Sequence, residues 1–336
     1  MSSVEFNSRV YGCVVVKAIN ANYNADFNGL PRRLKSDGAF YATDKSFKWL
    51  VRNYIKKNYE SEKVLFTKQF DEKFSVLTLK QAYEKLDKLV KKDNTLSTLL
   101  ECIDVRLFGA TLADTGNNLS LHGCVQVNHA TDLYGKGKVY TDEILSPFAT
   151  KEGDGNNTIG VMSKATEAHY IHSFSINPKN LSSWKSVIKK ESVKKEKDLL
   201  DEEQESSLRL LTLSDINILK DAFNNAVTFY DSHSKSGVEN ELSIYVTLEE
   251  NSILTLPNFA QFIKFVKGEN GDKNCFDLSG LISYLSKENI AKEIASVDIY
   301  VIDELTKLVY NEQESLKVNK HDLLELQKAN VDEKVN

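Results

Sequence analysis

The chain is poor in proline and cysteine. Only 4 of its 336 residues are proline and only 4 are cysteine, and the cysteines form no C-x-x-C pair. So few prolines exclude a proline-rich linker. Scattered cysteines predict reduced thiols in a cytoplasmic protein rather than a disulfide framework. Hydrophobic residues make up 41% of the chain, which is enough for a sizeable folded core.

Long apolar runs and catalytic motifs are also missing. No run reaches the length of a membrane span, and the opening residues lack a basic segment followed by an apolar one. We therefore expect neither contact with a membrane nor a secretory signal. The sequence has no H-E-x-x-H motif, no Cys/His set and no phosphate-binding P-loop, which predicts no metal site, no cofactor and no catalytic residue. We interpret the six histidines as structural.

Charge is unevenly distributed along the chain. Residues 1–190 contain 27 Lys and Arg against 20 Asp and Glu, whereas residues 191–336 contain 16 against 28. The formal net charge of −5 therefore conceals a basic half and an acidic half. This asymmetry is compatible with a polyanionic partner, and equally with uneven surface charge that has no function.

The hydrophobic pattern predicts an α+β domain with an antiparallel sheet. Strand patterns lie at 9–19, 123–127, 168–176 and 241–248, and helical stripes at 77–92, 213–230 and 279–294. A split βαββαβ order is the ferredoxin-like one, whose open sheet RNA-recognition modules use. Residues 189–205 are rich in charge and predict a solvated helix or surface segment.

Residues 18–33, AINANYNADFNGLPRR, place Asn20, Asn22, Asn24 and Asp26 on alternate positions after the first strand. Asn and Asp are common turn formers, which is one explanation of this stretch. The other is a polar strand end that, together with Arg32 and Arg33, holds phosphates or riboses.

Residues 104–113, DVRLFGATLA, form the second unusual stretch. In an extended chain Arg106 and Phe108 lie on the same side, which suits a phosphate contact and stacking under a base. The alternative places Phe108 in the core and Arg106 in an ion pair.

These two stretches, followed by LSLHGCVQVNHATDL at 119–133, resemble the backbone subunit of type I CRISPR Cascade surveillance complexes, within the RAMP superfamily. The I-B and I-C branches are the most similar. That family typically has an N-x-N-x-N-G-D-P-like turn after its first strand, then P-R, D-V-R-x-F-G-A and G-x-V-Q, in this order. The chain departs from the pattern at Tyr23, Ala25, Cys124 and the pair Phe27-Asn28, which suggests a distinct subgroup.

The resemblance implies a hand-shaped fold with an RRM-like palm (1–33, 99–127 and 163–310). Helical fingers are inserted at 34–98, a β-hairpin thumb is inserted at 128–162, and a polar tail covers 311–336. It also implies that several copies stack along one CRISPR RNA and present it for pairing with target DNA in antiviral defence. The implied partners are CRISPR RNA, further copies of the chain, end-capping and large subunits of the complex, and target DNA.

The resemblance and the polar or basic character of its motifs together predict a set of RNA-binding residues. They are Lys17, Asn20, Asn22, Asn24, Arg32, Arg33, Arg106, Phe108, Gln126, His129, Lys136, Lys138 and Lys164. Such residues grip a backbone without reading its sequence, since base pairing does the reading.

An alternative function is a guide-directed ribonuclease. Related backbone subunits of type III complexes cut RNA with a loop aspartate, and Asp26 lies in a loop after the first strand. The motifs resemble type I, whose backbone subunit does not cut, so the sequence favours a protein that is not an enzyme. A small-molecule enzyme on the same fold has no supporting motif.

Overall fold

The computed structural model describes residues 4–90, 92, 94–114, 117–145, 147–148, 158–185 and 208–325. The charged segment 189–205 lies outside the described residues. So do residues 326–336 of the predicted tail, and residues 146 and 149–157 of the predicted thumb.

The described part of the chain contains runs of strands and runs of helices. The strands are β1 (Val10–Ala21), β2 (Tyr41–Ala42), β3 (Gly109–Asp114), β4 (Asn117–His122), β5 (Val125–Val127), β6 (Ala130–Asp132), β7 (Val139–Leu145), β8 (Thr158–Ile176), β9 (Val238–Leu248), β10 (Lys264–Val266), β11 (Asn274–Asp277), β12 (Ile294–Val301), β13 (Thr306–Val309) and β14 (Val318–Asp322). The helices are α1 (Asp44–Asn58), α2 (Leu79–Val90), α3 (Thr95–Leu100), α4 (Ile103–Phe108), α5 (Leu213–Asn225), α6 (Ser279–Leu285) and α7 (Glu288–Ala291).

One large sheet organises the molecule around β1. Its strand order is β14-β12-β9-β1-β8-β6-β2, and β5 and β7 also pair with β8. β1 is antiparallel to both neighbours, with Val14 opposite His172 of β8 and Ser243 of β9. The pair β12 and β14 is parallel. The result is a mixed α/β fold in which antiparallel pairing dominates, as the α+β prediction expects.

Both faces of β1 are covered, which explains why its sequence is almost continuously apolar. Val10, Val14 and Val16 face helices α1 and α5, where Phe47 and Phe223 are buried with ring centroids 5.0 Å apart. Full burial of one such side chain contributes roughly 1.5–3 kcal/mol.

The opposite face of the large sheet packs on a second layer. Tyr11, Cys13 and Val15 contact a core that includes Phe276 and Leu281. This layer contains α6 and a three-stranded sheet of order β10-β11-β13. The large sheet is therefore the middle of three layers, and its strand ends and edges remain as surfaces for a site.

Most of the predicted elements are present, with corrections at their boundaries. The stretch 213–230 contains α5, which ends at Asn225 and has Thr212 as its N-cap, with Thr212 and Asp215 forming a capping box. The stretch 279–294 contains two short helices, α6 and α7, rather than one. Within the described ranges, no helix combines the length and the hydropathy needed to cross a bilayer.

Residues 104–113 require the largest correction. Residues 104–108 are helical rather than extended, because α4 covers Ile103–Phe108, and the extended part begins only with β3 at Gly109. Gly109 has φ +81°, and a Cβ there would lie 2.2 Å from the Leu121 carbonyl oxygen, so the reversal from helix to strand requires glycine. Arg106 and Phe108 therefore do not share one side of a strand.

Candidate nucleic-acid interface

The polar residues after β1 have separate structural roles. Asn20 has φ +50°, a left-handed conformation that asparagine tolerates better than most residues. The Asn24 side-chain oxygen accepts hydrogen bonds from the backbone N–H and the hydroxyl of Thr43, the N-cap of α1. Asp26 accepts hydrogen bonds from the N–H groups of Asn28 and Leu30. The turn-forming explanation therefore accounts for much of this stretch.

Asn22 connects two parts of the same sheet end. Its side-chain nitrogen donates to the carbonyl oxygens of Gly29, at 3.0 Å, and Ser163 of β8, at 2.9 Å. The side chain is buried, and its oxygen has no hydrogen-bond partner among the described residues. The predicted RNA contact for Asn22 is corrected to an internal anchor, because the residue is buried and its amide nitrogen donates to two backbone carbonyls.

Arg33 brings the β6–β7 loop to this end of the sheet. Its guanidinium lies 4.3 Å from the Phe40 ring centroid and donates to the carbonyl oxygens of Gly38 and Gly137. Gly137 lies so close to β8 that a Cβ there would be 2.0 Å from the Glu167 carbonyl oxygen. Lys136 and Lys138 flank this glycine and are exposed. Arg33 and these two lysines thus converge at one site.

A second cluster forms at the N-terminus of α1. Arg32 donates to the Tyr41 hydroxyl at 3.5 Å, and the Tyr41 ring stacks with His129. His129 in turn contacts Asp44, which pairs with Lys48 at 3.0 Å. Although partial burial opposes ionisation of Asp44, Lys48 and His129 hold the pKa of its carboxyl below the usual range.

Phe108 lies beside this second cluster. Its ring centroid is 5.6 Å from Lys48 Nζ and 5.0 Å from the guanidinium carbon of Arg52. Arg52 also pairs with the buried carboxylate of Asp104. Phe108 is partly buried, so neither predicted alternative describes it fully. Its ring packs against the core and also contacts the basic side chains of Lys48 and Arg52.

Arg106 is inside the molecule. It is fully buried, and its guanidinium donates to both carboxylate oxygens of Asp215, at 3.1 and 2.5 Å. It also donates to Glu62 and to the carbonyl oxygen of Leu100. The predicted RNA contact for Arg106 is therefore corrected to the ion-pair alternative, since an arginine held in this way cannot reach a phosphate.

The remaining predicted residues are spread along β8. Tyr140 of β7 pairs with Lys164, and Gln126 of β5 pairs with Ser175. The eleven residue steps from Lys164 to Ser175 correspond to about 36 Å of strand. Gln126 is thus far from the Arg33 cluster, and the predicted residues follow a line rather than one pocket. Lys17 lies away from that line, in an ion pair with Glu239 of β9.

Sequence reasoning missed α1 and the basic residues it presents. Lys48 and Arg52 stand one turn apart on this helix, next to Phe108. The buried stripe Phe47, Leu50, Val51, Tyr54 and Ile55 has helical spacing, and would have identified the helix.

The surroundings of Asp26 bear on the ribonuclease alternative, which requires a free carboxylate and a metal ion. One carboxylate oxygen of Asp26 is engaged by the two N–H groups of its own turn. Among the side chains that the structure describes, no group of three His, Cys, Asp or Glu residues is arranged to hold a metal ion.

Comparisons with known proteins identify one matching family model and several similar solved structures. The model of the family described as "CRISPR-associated protein Cas7" matches residues 8–302. No curated protein matches the chain. Among solved structures, a chain of "CRISPR RNA-guided surveillance complex, pre-nicking" is similar with a TM-score of 0.52 and 12% identity, covering 96% of this chain and 99% of that one. A chain of "CRISPR RNA-guided surveillance complex" has a TM-score of 0.45 and 13% identity, with the same coverage.

Proposed function

Because the chain belongs to the Cas7 family of CRISPR-associated proteins, we propose that it is the backbone subunit of a Cascade surveillance complex in the cytoplasm. Several copies bind along one CRISPR RNA, together with end-capping and large subunits, and present the guide for pairing with target DNA. The I-B or I-C subtype is part of the proposal and rests on the sequence motifs alone.

The observation that carries this proposal is the group of basic side chains at the end of β1, in the β6–β7 loop and at Lys164 of β8. Arg32, Arg33, Lys136, Lys138 and Lys164 contribute positive charge there. Carbonyl contacts from Asn22 to Ser163 and from Arg33 to Gly137 hold their loops together. Several neighbouring positive groups at one end of the sheet fit the successive phosphates of a nucleic-acid strand.

We assign the parts of the hand to this topology. The strands in the order β9-β1-β8-β6, with α1 and α5 on one face, are the RRM-like palm. The hairpin of β7 and the first half of β8 is the thumb. We assign the fingers to the part of the insertion that comes after α1 in the chain, because α1 itself packs on the palm. These assignments shorten the predicted thumb of 128–162 and the predicted fingers of 34–98.

The holder function is tested by the salt dependence of RNA binding. We compare the wild-type chain with the double variant R32A/R33A and with the control K307A/K317A, which removes two exposed lysines from the acidic half. The slope of log K against log salt should shrink by about 0.7 for each lost phosphate contact on a single strand. It should shrink equally for unrelated RNA sequences. An unchanged slope in R32A/R33A, with the fold intact, contradicts a phosphate contact at this pair.

We also propose that the chain holds RNA without cutting it. The engagement of Asp26 in its own turn supports this proposal over the ribonuclease alternative. Labelled RNA complementary to the guide should stay intact when it is incubated with the assembled complex and Mg²⁺. Metal-dependent cleavage that disappears in Asp26→Asn establishes the ribonuclease instead.

A further inference from the structure

Phe27 is the most exposed large hydrophobic residue in the described part of the chain. Its relative exposure is 102%, which means that the ring contacts solvent on all sides. It replaces a proline-containing stretch that is typical of the family, so its role does not follow from the family pattern. A single exposed apolar residue is common on protein surfaces. A role for Phe27 therefore depends on the residues that surround it.

The turn that carries Phe27 is locked. The Asp26 N–H donates to the Leu30 carbonyl oxygen at 2.8 Å, and the Gly29 N–H donates to the Asp26 carbonyl oxygen. The Asp26 carboxylate accepts from two further N–H groups of the turn. Gly29, with φ +80°, supplies the left-handed residue that the turn requires. The backbone of this turn is therefore held in one conformation, and it leaves the ring in solvent.

The locked turn is tied to the proposed RNA path. The Asn22 amide bonds both Gly29 in the turn and Ser163 next to Lys164. The guanidinium carbon of Arg32 lies 6.0 Å from the Phe27 ring centroid. An aromatic ring and a cation therefore lie next to each other at the sheet end that carries Arg33, Lys136, Lys138 and Lys164.

A nucleobase fits this arrangement better than another protein does. A stable protein interface needs about 800 Å² from each partner. Here the exposed apolar surface is limited to Phe27 and Leu30, next to Asn28, Arg32 and Arg33. Proteins that bind single strands combine a positive backbone groove with aromatic rings on which bases stack.

We propose that Phe27 is a stacking platform for a base of single-stranded RNA whose adjacent phosphates lie on Arg32 and Arg33. This inference rests on the proposed function, and it adds a second kind of contact to it. Because any base has a π-face, the stack adds affinity without sequence preference. It therefore leaves the guide free to have any sequence.

The test uses the full-length chain and two synthetic RNAs of equal length, oligoadenylate and the same backbone with abasic riboses. The variants are Phe27→Ala, Phe27→Leu and Phe27→Trp, and Phe74→Ala serves as the matched control. Phe74 is also highly exposed, at 87%, but lies in the separate loop before α2. Because all these side chains are exposed, thermal unfolding should be unchanged.

Wild type and Phe27→Trp should prefer oligoadenylate to the abasic strand. Phe27→Ala and Phe27→Leu should lose roughly 5- to 150-fold in affinity for oligoadenylate and show no preference between the strands. Phe74→Ala should behave as wild type. Equal binding by Phe27→Ala and wild type overturns the inference while RNA binding, and so the proposed function, stands. Loss of assembly in Phe27→Ala with unchanged affinity for short RNA also overturns it, because Phe27 then contacts another copy. If wild type binds neither strand, the proposed function fails as well.

Discussion

Arg106 and Asp215 form an ion pair that is removed from solvent on both sides, with side-chain exposures of 0% and 1%. Removing one member of such a pair leaves an uncompensated charge in the core, which typically costs 3–5 kcal/mol. Arg106→Met should therefore lower the free energy of unfolding by about that amount, measured by urea denaturation.

Arg209→Met is the matched control for Arg106→Met. Arg209 also pairs with Glu62 but is 31% exposed, so its loss should cost about 1 kcal/mol or less. Where folded Arg106→Met is recovered, its salt slope for RNA binding should equal that of wild type. A reduced slope contradicts the purely internal role of Arg106.

His172 provides a pH-dependent test of the core. Its Nδ1 lies 3.0 Å from the Asn128 carbonyl oxygen and its Nε2 lies 3.0 Å from the Tyr23 hydroxyl, while Phe47 stacks on the ring. Burial lowers the pKa of His172 from 6.5 to about 4. Between these values the unfolded chain binds a proton that the native chain does not, so acid destabilises the fold in this window.

The wild-type free energy of unfolding should fall as the pH drops from about 6.5 to 4. The contribution of His172 amounts to roughly 3 kcal/mol in total. His172→Gln should lose this contribution, so its free energy of unfolding should depend less steeply on pH. The carboxylates contribute equally to the pH dependence of both proteins. Urea titrations at several pH values measure both curves. Parallel curves for the two proteins are incompatible with a neutral buried His172.

At the scale of elements, the β7–β8 hairpin differs from the sheet that it extends. β7 pairs with β8 along Val139–Leu145, and most of its side chains are exposed or half-exposed. β6 is paired with both β2 and β8. The predicted thumb of 128–162 therefore contains two different segments. β6 is paired with two strands of the sheet, whereas β7 is paired with β8 and is largely exposed.

Hydrogen exchange should separate these two segments. Amides of β7 should exchange fast in the free chain, because few buried contacts oppose local opening. Bound RNA should slow them, whereas β1 should be well protected with and without RNA. Equal exchange of β7 in both states contradicts its assignment as an RNA-binding thumb, and the β1 amides provide the internal control.

At the scale of the whole molecule, the two halves of the sequence occupy opposite sides of β1. Residues 1–190 supply β8, β6 and β2 on one side, and residues 191–336 supply β9, β12 and β14 on the other. Among the described residues, the strands on the two sides of β1 in this sheet therefore come from the basic half and the acidic half of the sequence. We expect complementary charge between these two sides to favour head-to-tail contact between copies.

Mixtures of the chain with single-stranded RNAs of increasing length should form complexes in discrete steps of one chain. Native mass spectrometry counts the copies. Higher salt should shorten the assemblies, because it screens attraction between the basic and acidic sides as well as contact with RNA. One copy per RNA at every length argues against a backbone subunit.

Features that depend on neighbouring residues could be predicted from the sequence. The apolar run of β1 and the stripes in α2 and α5 are local patterns, because a strand buried on both faces is continuously apolar and the helical turn imposes a period of 3.6. The family motifs are also local, and the family model matches the region that contains them. Residues 104–108 have no such period, and the extended conformation that we predict for 104–113 is wrong for them because they are helical.

Which polar residues are internal and which are available to a partner depends on the tertiary fold. Arg106 is buried because Asp215, 109 positions away, meets it in the core. Asn22 is buried because Ser163, 141 positions away, accepts its hydrogen bond. Phe27, an apolar residue, is fully exposed because its turn closes on itself and leaves the ring outside. Burial depends on partners that are distant in sequence, and a local pattern does not specify such partners.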